Sequence, residues 1–438
     1  MRSRLFILLA VALLICCTPW PVKGAKRQPI PPSAASTATS AAPSSSASAI
    51  TVNAEAAVLM EVSTGAILFE HNADKIIEPA SFTKVLTLYL LFENLEKGVI
   101  YLDDEIFVSE RAWRTGGSKM FVGIGSKVPL EELIKGIAVV SGNDACIAVA
   151  EQLYGTEESF VSAMNQKAKE LGMKNSEFRN PHGLPDDKQV TTARDMAILD
   201  GAYLKRFPNA LKYHSMREYT YNGITQYNRN RLLLKDASVD GLKTGYVAAA
   251  GYHLSATAER DGMRLLAVVM GAKTPGIRER EALNLLNYGF RNFALIQPFP
   301  KDKPVATIKV WKGVEDSLAL YPSEEASLLV SQREKTAIRW EIDAPTEVNA
   351  PIAAQQPLGE IVFFVSDQAK KSVPLVSEKD VAQAGFFKRV WHSVAHIRLP
   401  EVSWQWLSGV TGGIFAVALL VVLVMNGRST RRSRNFRK

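Results

Sequence analysis

Apolar positions recur at helical spacing over residues 81–95, and a second apolar helical run covers 130–154. Residues 195–206 predict a third helix, and 278–290 a last one closing the domain. Around them the period changes to two. Residues 57–60 and 66–70 flank Ser63-Thr64-Gly65 and predict a hairpin. Residues 251–258 and 264–271, joined by Arg260-Asp261-Gly262, read as two antiparallel strands. Strands at both ends of a helical middle predict an α+β fold whose terminal segments share one sheet. From about Phe293 short alternating runs recur at 306–311, 318–321, 327–330, 336–342, 360–365 and 372–376. Turn residues separate them, which predicts a small all-β domain, and no catalytic constellation lies in it.

The two ends follow other patterns. Arg2 and Arg4 precede an apolar run over 5–16, and small residues follow around Gly24, as in a signal peptide covering 1–24. Residues 25–50 are Pro, Ser, Ala and Thr with almost no large apolar group, so they are expected to form a disordered linker. A catalytic domain is placed at 51–293 and the β-rich domain at 294–379. In 380–405, Phe386, Phe387, Val390, Trp391, Val394 and Ile397 alternate with bases, as in a juxtamembrane helix lying along a membrane surface. Residues 407–425 carry no charge, and a transmembrane helix is expected over 406–426, with a basic cytoplasmic tail at 427–438.

Charge adds to this picture once it is located. The formal net charge is +8. Arg2, Arg4 and Lys23 at one end, with Arg428, Arg431, Arg432, Arg434, Arg437 and Lys438 at the other, leave the body close to neutral. The basic balance is therefore a topology signal, and nucleic acid is not an expected partner. The expected location is the cell membrane, with the catalytic domain outside the cytoplasm and the C-terminus inside. Removal of a leader would leave Cys146 as the one cysteine, a small buried hydrophobe by its surroundings.

Three short motifs carry candidate chemistry. Ser81-Phe82-Thr83-Lys84 opens the first helix, and residues i and i+3 share a helical face, so the Lys84 amine can reach the Ser81 hydroxyl. A serine is a weak nucleophile until a neighbouring base takes its proton. About two Ser-x-x-Lys matches are expected by chance in a chain of this length, so the motif needs company. In Ser141-Gly142-Asn143 a hydroxyl and an amide can face one cavity where the backbone turns, relaying a proton and holding a peptide carbonyl; a plain turn-rich loop fits as well. Lys243-Thr244-Gly245 leads into the late strands, where lysine and threonine can bind a carboxylate and glycine admits a substrate backbone. A second cation there would also depress the Lys84 pKa; a surface turn is the alternative.

The conjunction of these motifs, in this order on helix, loop and strand, resembles the penicillin-recognising serine enzymes. Pro79-Ala80-Ser81-Phe82-Thr83-Lys84, Ser141-Gly142-Asn143-Asp144-Ala145-Cys146, Asn180-Pro181-His182-Gly183-Leu184 and Asp240-Gly241-Leu242-Lys243-Thr244-Gly245 narrow the resemblance to the D-alanyl-D-alanine carboxypeptidases, the low-molecular-mass penicillin-binding proteins. It spans about 54–293, and more weakly the β-rich segment. It implies an α+β penicillin-binding, β-lactamase-like transpeptidase domain of mixed helices and antiparallel sheet, then a small all-β domain and a C-terminal transmembrane helix. It also implies roles: Ser81 as acylated nucleophile, Lys84 as its base, Ser141 as proton relay and Asn143 as a substrate-binding amide. Lys243 and Thr244, beside Gly245, anchor the substrate carboxylate, and the backbone amides of Ser81 and Tyr246 form the oxyanion hole. Some relatives carry histidine at the Tyr246 position. Arg229 and Arg278 match recurrent arginines of the substrate site, and His182 is expected to brace it. The implied substrates are peptidoglycan stem peptides, with β-lactam antibiotics as inhibitors and no metal or cofactor. The competing readings are a class A β-lactamase, disfavoured because Glu177 precedes Asn180 by only three residues, an endopeptidase cutting cross-links, and a catalytically silent cell-wall scaffold.

Overall fold

The structure, a computed structural model, describes residues 50–395 and the single residue Val417. The chain begins with β1 (Ala56–Glu61) and β2 (Ile67–His71), then a short 3-10 turn at Ala80–Phe82 leads into α1 (Thr83–Glu96). A small hairpin pairs β3 (Glu105–Phe107) with β4 (Lys127–Pro129) around α2 (Glu110–Arg114). The helical layer continues through α3 (Leu130–Ala138), α4 (Asn143–Tyr154), α5 (Glu157–Leu171), α6 (Ala193–Arg206) and the single turn α7 (Leu211–His214). The hairpin β5 (Glu218–Tyr221) and β6 (Ile224–Tyr227), the turn α8 (Leu232–Lys235), and strands β7 (Val239–Val247), β8 (Gly251–Arg260) and β9 (Met263–Ala272) follow, closed by α9 (Pro275–Asn292).

One antiparallel sheet of order β2-β1-β9-β8-β7 organises this part. The N-terminal hairpin and the late strands do share one sheet, as the sequence predicts. Its central strands read as nearly unbroken apolar runs because both faces are covered. Ala56, Val58 and Met60 of β1 join the core beneath the helical layer. Ala57 and Leu59 face the other way, with Leu254, Leu265 and Val269 against Ala282, Leu285 and Leu286 of α9.

Two expectations change in detail. The run over 130–154 is two helices, because Ser141 takes φ +63° and breaks the chain between α3 and α4. Ser, Gly and Asn compete poorly inside a helix, so the break falls where the local sequence favours it. The Lys243-Thr244-Gly245 motif lies within a strand of its own, β7, at the edge of the sheet.

The second domain has its own core, from Ile308 and Val310 to Val373 and Leu375. It comprises β10 (Phe293–Phe299), β11 (Ala306–Trp311), β12 (Ser317–Pro322), β13 (Ala326–Ser331), β14 (Ile338–Asp343), β15 (Glu347–Asn349), β16 (Pro357–Val365) and β17 (Gln368–Val376). Six of these form a sheet of order β14-β16-β17-β12-β11-β15, and β10 pairs with β13. The all-β reading of this segment therefore holds. A last helix, α10 (Phe386–Ala395), rests on this domain: Lys388 pairs with Asp316 at 2.7 Å, and His392 Nδ1 accepts from the Lys312 amide at 2.8 Å.

The expected fold class needs one correction. No helix among the described residues is long and apolar enough to cross a membrane, so what they form is an α+β domain followed by an all-β domain, with no transmembrane helix among them. An uncharged run of suitable length is a pattern in composition, and such a pattern does not by itself make a helix part of the fold. The segment on which that expectation rested, 406–426, lies outside the described residues save Val417, as do the leader at 1–24 and the tail at 427–438.

Candidate active site

The first motif sits at a strained junction. Ala80 takes φ +47°, a region that costs a residue with a Cβ, and the chain then enters the turn that begins α1. Ser81 is half-buried there, while Lys84 on the same face is completely buried. The Lys84 amine donates to Ser81 Oγ at 3.0 Å and to the carbonyl of His182 at 2.5 Å. One helical turn on, Thr87 Oγ1 donates to the Pro181 carbonyl at 2.6 Å. The Asn180-to-Leu184 loop thus presents backbone carbonyls to α1, and its own shape is set from within. Asn180 Oδ1 accepts from the Gly183 amide at 2.7 Å, and Nδ2 donates to Leu184 O at 3.0 Å. Gly183, at φ +86°, lies so close that a Cβ would stand 1.8 Å from Ala80 O.

The second motif faces the third across the site. Lys243 on β7 donates to Ser141 Oγ at 3.1 Å and to the Thr244 carbonyl at 3.1 Å. Asn143 starts α4, and its side chain spends one of two amide hydrogens on Gly116 O at 2.7 Å. Strand β7 is held from behind by buried groups. His214 Nδ1 donates to the Leu242 carbonyl at 2.9 Å and its Nε2 accepts from Tyr203 Oη at 3.0 Å, so the ring is neutral with its proton on Nδ1. Asp240 takes a bidentate pair from Arg264, at 2.8 and 2.9 Å. Among the described residues no strand pairs with the outer edge of β7, which leaves a row of backbone groups open to an extended peptide.

Burial governs the electrostatics. It pulls the Lys84 amine down to about 8, and the Arg229 charge acts in the same direction. Lys243 is also held well below its ordinary value, by burial first and by the Lys84 charge second. An incoming carboxylate would favour the charged form of Lys243 again. Cys146, buried beside them, is pushed up to about 12 by desolvation and stays a thiol.

The two arginines differ. Arg229 is turned to the 116–122 loop and donates to Ser118 Oγ at 2.9 Å. It is carried there by Asn228, which bonds His214 O and Met216 O, and by Asn230, which bonds Gly241 O. Arg278 is buried under β7 and β8, where its guanidinium donates to the carbonyls of Gly245, His253 and Arg229 at 3.2 to 3.4 Å. In that position it ties backbone segments together. Tyr246 is half exposed and stacks on Tyr252 with centroids 4.3 Å apart, braced by the Arg278 guanidinium 5.7 Å from the Tyr252 ring. His182 is buried, with its Nδ1 accepting from the Leu184 amide at 3.2 Å. Glu177 is exposed and pairs with Arg179 at 3.4 Å. Among the described residues, no group of three His, Cys, Asp or Glu side chains is placed to hold a metal ion.

All three motifs therefore meet in one place. Residues that the sequence gives no chemical reason to select support them: Thr87, His214 and Tyr203. Their partners can lie far away in the chain, as between Thr87 and Pro181, 94 positions apart. Glycine after histidine in Asn180-Pro181-His182-Gly183-Leu184 was the one local signal of a close backbone approach.

Comparison with known proteins agrees with this geometry. The D-alanyl-D-alanine carboxypeptidase family matches residues 41–274, and the C-terminal domain of penicillin-binding protein 5 matches 293–383. D-alanyl-D-alanine carboxypeptidase DacC of Escherichia coli K12 is 40% identical over 352 residues, covering 78% of this chain and 88% of the relative. The crystal structure of penicillin-binding protein 5 from Haemophilus influenzae superposes with a TM-score of 0.67 at 34% identity, covering 77% of this chain and 100% of the other. Penicillin-binding protein D2 of Listeria monocytogenes, in its ampicillin-bound form, covers 56% of this chain and 100% of its own, at 29% identity and a TM-score of 0.51. With matches running through both domains and the three motifs converging on one buried lysine pair, the chain belongs to the D-alanyl-D-alanine carboxypeptidase family.

Proposed function

We propose that this chain is a serine-type D-alanyl-D-alanine carboxypeptidase that removes the terminal D-Ala from peptidoglycan stem pentapeptides and is acylated by penicillins. The observation that carries the reading is the contact of the wholly buried Lys84 amine with Ser81 Oγ at 3.0 Å. Lys84 takes the Ser81 proton as Oγ attacks the carbonyl of the penultimate D-Ala. The amides of Ser81 and Tyr246 hold the developing oxyanion. The proton that Lys84 took passes through Ser141, bonded to Lys243, to the leaving amine, and the departing D-Ala keeps its carboxylate on Lys243 and Thr244 until release. Asn143 and Arg229 position the peptide, and Gly245 lets it lie along β7. Water then hydrolyses the ester on Ser81, giving the tetrapeptide. A β-lactam follows the same first step, with the ring amide opening onto Ser81.

We place the reaction outside the cytoplasmic membrane, a reading supported by the leader-like start of the chain and by the substrate class. Contact with the membrane surface through α10 is supported by Phe386, Phe387, Val390 and Trp391, which form an exposed stripe on that helix.

The test is direct. A fluorescent penicillin should label the wild type covalently and fail to label Ser81→Ala. A pentapeptide ending in D-Ala-D-Ala should yield free D-Ala and tetrapeptide, while a cross-linked dimer stays intact. Label retained in Ser81→Ala would move the nucleophile elsewhere, and cleavage of the dimer in preference to the pentapeptide would make the enzyme an endopeptidase.

A further inference from the structure

Asp144 follows the second motif immediately and is almost completely buried, yet no step above uses it. Its carboxylate accepts four backbone amides. Oδ1 takes Met120 and its own neighbour Ala145, each at 3.0 Å. Oδ2 takes Phe121 at 2.9 Å and Val122 at 3.3 Å. A carboxylate is suited to this because both oxygens only accept, whereas an asparagine would turn an NH2 group toward N–H donors.

The segment so held does little to order itself. It lies between α2 and β4, contains Gly116, Gly117, Gly123 and Gly125, and places Phe121 at φ +67°. Yet it carries several groups that meet the site. Gly116 O accepts from the Asn143 side chain at 2.7 Å, and Ser118 O from the Asn143 amide at 2.7 Å. Ser118 Oγ accepts from Arg229 at 2.9 Å, and Lys119 O from Gln226 at 3.0 Å. Asn143 and Arg229 come from elements distant in sequence, and this one loop spans both.

We propose that Asp144 is a positioning residue for the reaction, clamping the 116–122 loop so that its carbonyls and the Ser118 hydroxyl fix Asn143 and Arg229 for the peptide. The inference rests on the roles given to those two residues above. It predicts that loss of the clamp loosens substrate placement while Ser81 and Lys84 remain assembled, since their contacts run through the 180–184 loop instead. The effect should therefore fall on KM and on the second-order rate of acylation more than on kcat.

The experiment compares full-length wild type, Asp144→Asn, Asn143→Ala and the double variant, using benzylpenicillin acylation and pentapeptide hydrolysis. Asp144→Asn should acylate about tenfold to a hundredfold more slowly, with KM rising more than kcat falls. In the Asn143→Ala background the same substitution should have a smaller effect, since only the part that acts through Arg229 and Ser118 remains. Hydrogen exchange at the amides of residues 120–122 should accelerate in Asp144→Asn. Gly117→Ala attacks the contact from the loop side, since its Cβ would stand 2.6 Å from Asn143 Nδ2, and should give the same kinetic pattern even if Asp144 variants fold poorly. Faster exchange with unchanged acylation in Asp144→Asn, or effects that simply multiply in the double variant, would overturn the proposal alone. Unaltered kinetics in Asn143→Ala would overturn it together with the reading of the site.

Discussion

Lys84 occupies surroundings that disfavour its charge. An ordinary lysine amine is almost wholly protonated at neutral pH, and burial brings this one down to about 8. Below that pH the protonated amine cannot take the Ser81 proton; above it the free base accumulates. The penicillin acylation rate should therefore rise with pH along a limb centred near 8 and level off beyond it. Lys84→Arg should be nearly inactive across this range, since a guanidinium does not deprotonate there, whereas Lys243→Arg, which keeps a donor for a carboxylate, should retain more activity. Stopped-flow acylation of both variants against pH decides this. A near wild-type rate in Lys84→Arg would remove Lys84 from the role of base. The Arg278 guanidinium, for its part, donates to three backbone carbonyls.

Elements place these residues by touching at a few close points. The 180–184 loop meets the start of α1 with almost no clearance, and its carbonyls hold Lys84 and Thr87. Gly183 permits this, since it takes φ +86° and a Cβ would overlap Ala80 O at 1.8 Å. Gly183→Ala should therefore push the loop off the nucleophile turn. We expect acylation to fall by roughly two orders of magnitude, with destabilisation of about 1–3 kcal/mol from strain at one backbone position. Acylation kinetics with thermal unfolding of the same preparation would check both parts. A fully active Gly183→Ala protein would mean that the loop can withdraw without moving Lys84. The break between α3 and α4 follows the same principle. A continuous apolar stretch is divided because Ser141 and Asn143 are held from outside, by Lys243 on β7 and by the 116–122 loop.

Over the whole molecule, buried histidines tie stability to pH. Burial lowers His182 to about 3, and His214 and His253 to about 4. Their unfolded value is about 6.5, so between there and about 4 the unfolded chain binds more protons than the native one. Their contribution is fully present above about pH 6.5 and is lost as pH falls through the folded values. Asp200 works in the opposite direction, because burial raises it to about 7 and its contribution is lost as pH rises. Burial also raises Glu157, which acts with Asp200; the three rings outweigh these two, and each uncompensated proton is worth about 1.4 kcal/mol per pH unit. The urea midpoint should accordingly fall as pH drops from about 6.5 to 4.5, and His214→Phe should flatten that slope even if it lowers the plateau. A midpoint that stays level over this interval would mean that these rings are not held neutral.

Residue order alone carries the local features. The strand and helix periods, the change of texture at Phe293 and the three motifs are set by residues near one another in the chain, where covalent geometry imposes periods of two and 3.6. Motif order and context were enough to identify the family. Contacts between distant segments were decided only by tertiary structure. It set Lys84 against the His182 carbonyl, Lys243 against Ser141, and Asp144 under the 116–122 loop. It also buried the two lysines together and set Arg278 against the carbonyls of Gly245, His253 and Arg229. A pKa depends on desolvation and on charges brought close by packing, and a hydrogen-bond partner a hundred residues away leaves no periodic trace. Length and hydropathy suggested a spanning helix at 406–426, but such a pattern cannot by itself fix an element's place in a fold, and none of the described helices is of that kind.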